Sequence, residues 1–515
     1  MADKGIQDTD EALSSSLDDL FGDPAEFLDD EDCPGAYDDD DDANPDDNAN
    51  ANANTENAVI PPPDDNDDLA YGLRWVNEGG NIFSPKPEWT VEPALAAVAA
   101  TMERALGGPV RVRPLHDGAF NKLYAVRHGA EDFVLRVSLP VAGAGGRKTA
   151  AEVGALRWVR EHTRLAVPRV RAYSRGGGGE AGPLPFEWVL AGRVPGAALG
   201  ACWDAVTLDA KRRVVAQLAE FAAAAFAQPF AGVGSLYYDD DGDGEAAAPR
   251  GERAALRRYA APFRTAGQWT RRRLRLVAAD LRQRWLEAPN AAQRDTARRM
   301  LALVERLRGL EDEFFPTPHL LASPCGGGGS DLEPSTDEDV AGKAGEKRRA
   351  PKPREPTVLW HDDLSLDNIF VDDVGVLRGV IGWECVSCLP LYEACRLPAF
   401  LQQARGRPVA PLRVLPYASP EGDTGNDRRQ RRYDEALRQH HIYLLRRLFL
   451  HEMAERCPAW VEVYRRCGYL RDYEAAVQNC DNEFAYRQVE RWVDAVEGGE
   501  DVEWVEGTFH EQFLQ

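Results

Sequence analysis

The chain of 515 residues has no uninterrupted apolar run long enough to cross a bilayer. Its most apolar stretch, FAAAAFAQPFAGVG, is short and broken by Pro229, so a membrane-spanning helix is not expected. The N-terminus has neither the basic start of a secretory signal nor the Arg-rich, acid-poor composition of a mitochondrial presequence. Nine cysteines, an odd number, are too few and too scattered for a disulfide scaffold, and the expectation is reduced thiols in a cytoplasmic protein. Cys385, Cys388 and Cys395 have no fourth ligand at finger-like spacing, which argues against zinc. A basic footprint for nucleic acid is also missing.

Basic residues are scarcest at the start. Residues 1–68 hold 24 Asp or Glu against the single Lys4, so this segment carries nearly all of the net charge of −24 and the rest is close to neutral. Acid blocks and an Asn/Ala repeat leave too few apolar side chains there to offset the entropy of ordering. Residues 1–68 are therefore expected to be a disordered tail, read first as a solubilising extension and second, through Phe21, Phe27 and Leu28, as a contact for a protein partner. Residues 323–356, rich in Gly, Pro and charge, are expected to be a disordered insertion. Its KRRAPKPR run reads first as a solvated basic loop and second as a nuclear-import signal. The run Asp239-x-Asp241-x-Asp243-Gly244 imitates a calcium loop, but position twelve is Arg250 where a bidentate Glu is needed.

Between these segments the patterning is that of an α+β protein. VEPALAAVAATMERAL (91–106) has helical periodicity, and VRVRPL, KLYAV, FVLRVSLPV and FEWVL read as strands. In FVLRVSLPV the residues Phe133, Leu135, Val137 and Leu139 share one face while Arg136 takes the other. KTAAEVGALRWVREH (148–162) reads as a helix among them. After GRVPG come runs read as long helices: LDAKRRVVAQLAEFAAAAFA, ERAALRRYAAPF, RRLRLVAADLRQRWLE and AAQRDTARRMLALVERLRGL. The expected organisation is a small β-rich N-lobe over 69–193 that binds nucleotide, and a larger, mainly helical C-lobe over 194–515.

The chemistry concentrates in VLWHDDLSLDNIFVDDVGVLRGVIGWE, residues 358–384. His361-x-Asp363-Leu364-x-x-x-Asn368 has the form of a phosphoryl-transfer loop. Such transfer needs a carboxylate to position an acceptor hydroxyl, cations on the phosphates, and metal ions held by Asp and Asn. Asp363 is the candidate base, His361 braces the loop, and Asn368 is the candidate metal ligand. NIFVD and VLRGVIG flank a turn at 373–375 and read as a hairpin. Upstream, Arg136 on a strand and Glu152 on the next helix suit a phosphate-binding cation with its helix carboxylate, and taken alone they fit an ordinary solvated Arg and Glu equally well. HDGAFNKLY, with Gly118 and Asn121, stands where a phosphate-covering loop belongs but is no G-x-G-x-x-G; a plain hairpin turn explains it almost as well.

Taken in order, DGAFNKLYAV, FVLRVSLPV, EVGALRWVREH, VPRVRAY, FEWVLAGRVPG, GSLYY, HDDLSLDNIFVDD and GWECVSCLPLYEACRLPAFL resemble the aminoglycoside-phosphotransferase family in its fungal-type branch, over roughly 90–500. The resemblance implies a protein-kinase-like bilobal fold with ATP in the cleft, a hinge at Val189 to Gly192 that includes Ala191, and a small hydroxyl-bearing molecule as acceptor. It also implies that Asp363 is the catalytic Asp, Asn368 a magnesium ligand, and Arg136 with Glu152 the phosphate-facing pair. One position departs. Where the family pattern is similar to I-D-W-E, with Asp as second metal ligand, this chain has Gly382. If the chain is extended there, residues i and i+2 share a side, and Glu384 could substitute as metal ligand; otherwise metal binding is impaired. Two readings stay open: an ATP-dependent small-molecule kinase, or a nucleotide-binding pseudokinase or scaffold. The acidic run DAVEGGEDVEWVEGTFHE could attract a cationic substrate, though a solvated face is the simpler reading.

Overall fold

The computed structural model describes residues 72–118, 120–139, 141, 146–175, 184–237, 258–315, 354–402, 411 and 424–499, all within the unit Asp68–Gln515. The acidic segment 1–68, the insertion up to residue 353, the calcium-loop-like run 239–244 and the acidic run beyond 499 lie outside the described residues.

A short hairpin, β1 (Leu73–Val76) and β2 (Lys86–Trp89), leads into helix α1 (Leu95–Leu106). The helix starts two residues after Pro93, later than its periodicity suggests, and stops at Gly107, whose φ of 76° is the left-handed cap that glycine adopts most readily. Strands β3 (Arg111–Asp117), β4 (Asn121–His128) and β5 (Glu131–Ser138) follow as an antiparallel meander. Helix α2 (Arg147–His162) precedes β6 (Val170–Ser174) and β7 (Glu187–Gly192), and the completed sheet runs β3-β4-β5-β7-β6. One face buries Tyr124, Val126, Phe133, Leu135, Val137, Trp188 and Leu190 with Val98 and Met102 of α1. Each such side chain contributes about 1.5–3 kcal/mol relative to exposure. The alternation of β5 leaves Arg136 half-buried on the opposite face, as its strand pattern requires.

From β7 the chain passes Gly196 to β8 (Ala197–Ala198) and the single turn α3 (Leu199–Cys202). At Gly196, with φ of 92°, a Cβ would lie 2.1 Å from the carbonyl oxygen of Val371, so only glycine fits this crossing. Helix α4 (Leu208–Phe226), capped by Thr207, and strands β9 (Phe230–Ala231), β10 (Val233–Tyr237) and β11 (Arg258–Phe263) come next. The run ERAALRRYAAPF therefore ends in a strand, not the helix its composition suggests. Pro262 cannot donate within a helix, and β11 is an edge strand paired only to β10, where a proline is tolerated.

Helices α5 (Ala266–Glu287), α6 (Ala291–Gly309) and α7 (Glu311–Phe314) match the sequence reading where it spoke. Strand β12 (Pro356–Trp360) delivers the motif loop, followed by the hairpin β13 (Ile369–Val371) and β14 (Leu377–Val380), then β15 (Ser387–Pro390). The remainder is helical: α8 (Leu391–Ala394), α9 (Ala399–Gln402), α10 (Thr424–Arg456), α11 (Pro458–Arg466), α12 (Gly468–Asn479) and α13 (Tyr486–Glu497). Two small sheets, β14-β13-β8 and β11-β10-β15-β12-β9, lie within this mainly helical part. No described helix is long and apolar enough to cross a membrane.

Candidate active site

The loop between β12 and β13 is pinned by apolar residues that alternate with its acids. Leu364, Leu366 and Ile369 are buried, while Asp362, Asp363 and Asp367 are exposed. Burial thus fixes the backbone and leaves the carboxylates in solvent. Asn368 donates from Nδ2 to the Asp363 carbonyl at 2.9 Å and to Asp363 Oδ2 at 2.7 Å, which closes the loop on itself. The hairpin after it turns at Gly375, with φ of 76°, and Asp372 Oδ1 accepts the backbone N–H groups of Val374 and Val376.

Ile381 then ties the returning strand to the loop from both sides of its peptide. Its N–H donates to the Asn368 carbonyl at 2.9 Å, and its carbonyl accepts from His361 Nε2 at 2.9 Å. His361 is fully buried, stacks edge-on against Trp383 at 4.7 Å, and has its pKa pushed down by burial. It is a neutral brace whose single N–H is committed to the backbone, and it cannot serve as a proton donor to substrate without giving up that bond.

The next three residues bring the two halves of the site together. Glu384 meets both Arg136 of β5 and, at 3.0 Å, Lys148 of α2 through Oε2. Asn121 donates from Nδ2 to Glu384 Oε1 at 3.0 Å, and Ser138 Oγ donates to Asn121 Oδ1 at 2.7 Å, which fixes the direction of that amide. Arg136 uses its other terminal nitrogen on Glu152. Arg136 and Glu152 therefore pair as expected, and Asn121 stands with them. Gly118 donates its N–H to the Asn121 carbonyl at 3.0 Å, which makes HDGAFNKLY the hairpin turn between β3 and β4. Val189 and Ala191 lie in β7, paired to Arg136 and Val134 of β5, one step before the chain crosses to β8.

The two carboxylates flanking Arg136 are shifted in opposite directions. Burial raises the pKa of Glu152 despite the neighbouring guanidinium. Burial pushes Glu384 the same way, but Arg136 and Lys148 outweigh it and hold Glu384 below the usual range. Glu384 is thus the firmly ionised partner. Lys148 was not singled out in the sequence, although it lies one helical turn before Glu152 and so shares its face.

Gly382 has φ of 80°, and a Cβ there would lie 2.8 Å from Asn368 Nδ2. The backbone is in the left-handed region, and Glu384 lies in the turn that follows. The extended path that would put residues 382 and 384 on one side is therefore not taken, and the ground for Glu384 as a substitute metal ligand is removed. Its carboxylate is already engaged by two cations and an amide. The amide of Asn368 occupies the space that a side chain at 382 would need. Among the described residues no group of three His, Cys, Asp or Glu could hold a metal ion. Asn368 alone remains of the family pattern's ligand pair, and the residues present do not fit its two-sided magnesium site.

The model of the phosphotransferase enzyme family (APH) matches residues 111–410, more than half of the chain. The chain belongs to this family. A subtelomeric hrmA-associated cluster protein of Aspergillus fumigatus is 32% identical over 133 residues, which is 26% of this chain and 26% of that protein. The chain thus matches about a quarter of the length of this curated relative. Among solved structures, aminoglycoside phosphotransferase APH(4)-Ia is 16% identical, with 75% of this chain and 97% of that chain covered at a TM-score of 0.35. The streptomycin–ATP–APH(2")-IIa ternary complex is 11% identical, with 78% and 97% covered at a TM-score of 0.38. The family match begins at the first residue of β3 and takes in β4 and β5 with Arg136, α2 with Lys148 and Glu152, and the loop with Asp363 and Asn368.

Proposed function

We propose that this member of the phosphotransferase family transfers the γ-phosphoryl group of ATP to a hydroxyl of a small molecule. The observation that carries this reading is the short path from Asn368 to Arg136. Ile381 is bonded to the catalytic loop, and Glu384, three residues on, is bonded to the cation pair of Arg136 on β5 and Lys148 on α2. A nucleotide with its phosphates at Arg136 would then have its terminal phosphate close to Asp363. Asp363 keeps Oδ1 free of hydrogen bonds within the described residues while Asn368 orients Oδ2, an arrangement suited to positioning an acceptor hydroxyl. Val189 and Ala191, on the interior strand β7 between β5 and β6, would line the base side of the site. The test is incubation of the full chain with γ-labelled ATP and a fractionated small-molecule extract. The reading expects label, and a phosphate mass increment, on a hydroxyl compound; ATP binding without any labelled product would refute it.

A second reading, a nucleotide-binding pseudokinase or scaffold, is favoured by one observation. Gly382 offers no carboxylate, and Glu384, two residues on, is held by Arg136, Lys148 and Asn121. The same incubation separates the two readings, because a pseudokinase binds ATP and releases it unchanged.

A further inference from the structure

Resting on the nucleotide-binding reading, we infer that Arg136 and Lys148 together form the phosphate-binding cation site, and that Glu384 is a displaceable counter-ion occupying the place of a phosphate oxygen. The residues at 368 and 382 do not complete the family pattern's pair of metal ligands. Where a second metal carboxylate is missing, the negative charge of a triphosphate must be met by fixed cations instead. Two such cations converge on a single atom, Glu384 Oε2. A strand arginine is expected in this role; the helix lysine beside it adds a second positive charge on the same point.

The exposures give the direction of access. The side chains of Arg136 and Lys148 are 14% and 9% exposed, whereas Glu384 is 32% exposed. Glu384 is therefore the member of the cluster most open to solvent, and removing its carboxylate uncovers both cations. With Glu384 in place the four charges of Arg136, Lys148, Glu152 and Glu384 balance. With Glu384 withdrawn the cluster is left cationic, as a phosphate site should be. A triphosphate presents more oxygens and more charge than one carboxylate, and the guanidinium fork suits it well.

The turn that holds Glu384 shows why it can leave. Cys385, the next residue, has φ of 63°, a region that non-glycine residues rarely occupy. The turn's own preference therefore does not keep Glu384 in place; the contacts to Arg136, Lys148 and Asn121 do. When phosphate takes those contacts, the Glu384 side chain loses the partners that hold it over the cations, while buried Trp383 and Val386 on either side keep the turn anchored. Nucleotide affinity is then reduced by the fraction of molecules in which Glu384 still covers the cations.

The test is ATP binding by calorimetry to the full chain, with EDTA and separately with magnesium. The proteins compared are the wild type, Glu384→Gln, Lys148→Ala and the double variant. Glu384→Gln should tighten metal-free ATP binding by about tenfold, the worth of one hydrogen bond to a charged group. Lys148→Ala should weaken binding in both conditions, and the gain from Glu384→Gln should shrink in the Lys148→Ala background, as expected for groups sharing one contact. Unchanged metal-free affinity in Glu384→Gln would overturn the inference. So would a loss confined to magnesium, which would make Glu384 a metal ligand after all. If Glu384→Gln fails to fold, Glu384→Asp withdraws the carboxylate by one methylene and should tighten metal-free binding less, in the same direction. The readout is binding alone, so the absence of turnover in all four proteins would count against phosphotransfer and not against the counter-ion.

Discussion

Two clusters of paired charge in this molecule look alike and differ in access. In one, Arg136 lies between Glu152 and Glu384 with Lys148 beside it, and Glu384 is about one-third exposed. In the other, Arg273 of α5 pairs with Glu474 of α12, which is fully buried, while Glu393 of α8 pairs with Arg396 at 2.5 Å. Glu474 also accepts from Gln478 at 2.9 Å, and Tyr392 is sealed in the same region. In this second cluster the carboxylates are sealed and the arginines are about one-quarter exposed, so no carboxylate there can give way to a ligand. A cluster whose carboxylate is the open member can exchange it for a ligand. The same pairing has its carboxylates closed off in the helical part and one of them open to solvent beside the loop of Asp363.

The largest expected effect tests the loop that faces the open cluster. Asp363→Asn should lower phosphotransfer by about 10² to 10⁴, the usual worth of general-base catalysis, with little change in ATP affinity. Equal loss of nucleotide binding would make Asp363 a structural residue.

The sealed cluster should respond through stability. Arg273→Ala leaves Glu474 buried without its cation and should cost about 3–5 kcal/mol of folding free energy. Glu384→Gln, at the open cluster, should shift the melting temperature far less. Similar shifts for the two variants would erase the distinction drawn between the clusters.

Gly382 lies at the seam between loop and cation cluster. Placing any Cβ at its φ of 80° should cost on the order of 1–2 kcal/mol and push the Asn368 amide off Asp363. Gly382→Asp is therefore expected to lower both the melting temperature and turnover, even though it supplies the carboxylate of the family pattern. A rise in turnover at unchanged stability would show that the loop can rearrange to accept a ligand there.

The smallest effect is a pH dependence inside the sealed cluster. Burial raises the pKa of Glu393 to about 7, with Arg396 and Arg273 opposing and Glu474 reinforcing; Tyr392 adjoins it. An acid whose pKa is higher in the folded state binds more protons there than when unfolded. Its contribution is largest in acid and is lost as pH rises from about 4.5 towards 7. Glu393→Gln should flatten the decline in melting temperature over that window; an unchanged profile would assign the decline to other groups.

Much of this arrangement is legible in the residues themselves. The alternation around Arg136, the helix carrying Glu152 and the spacing of His361, Asp363 and Asn368 each follow from a local period or a fixed motif, and the structure brings them together. What escapes is non-local. ERAALRRYAAPF has the composition of a helix, and only pairing with β10 and the edge position of Pro262 make its end a strand. The path through Gly382 could be extended or left-handed on sequence grounds, and the choice depends on Asn368 lying against it. Lys148 was within reach from its spacing to Glu152. Its convergence with Arg136 on Glu384 depends on a contact across more than 230 positions of chain. The helix Thr424–Arg456 carries so many charged residues that no narrow apolar stripe marks it.

The central claim is that the loop and the cation cluster face one nucleotide. Its most direct test is the ATP dissociation constant of two single variants measured side by side, Arg136→Gln from the sheet and Asn368→Ala from the loop, each first shown to retain the wild-type fold. Both are expected to weaken ATP binding, by about fivefold or more, since each removes a group proposed to meet the phosphates or their metal. Wild-type affinity in either variant, with its fold intact, would contradict the claim, because the nucleotide would then be held by one half of the site alone.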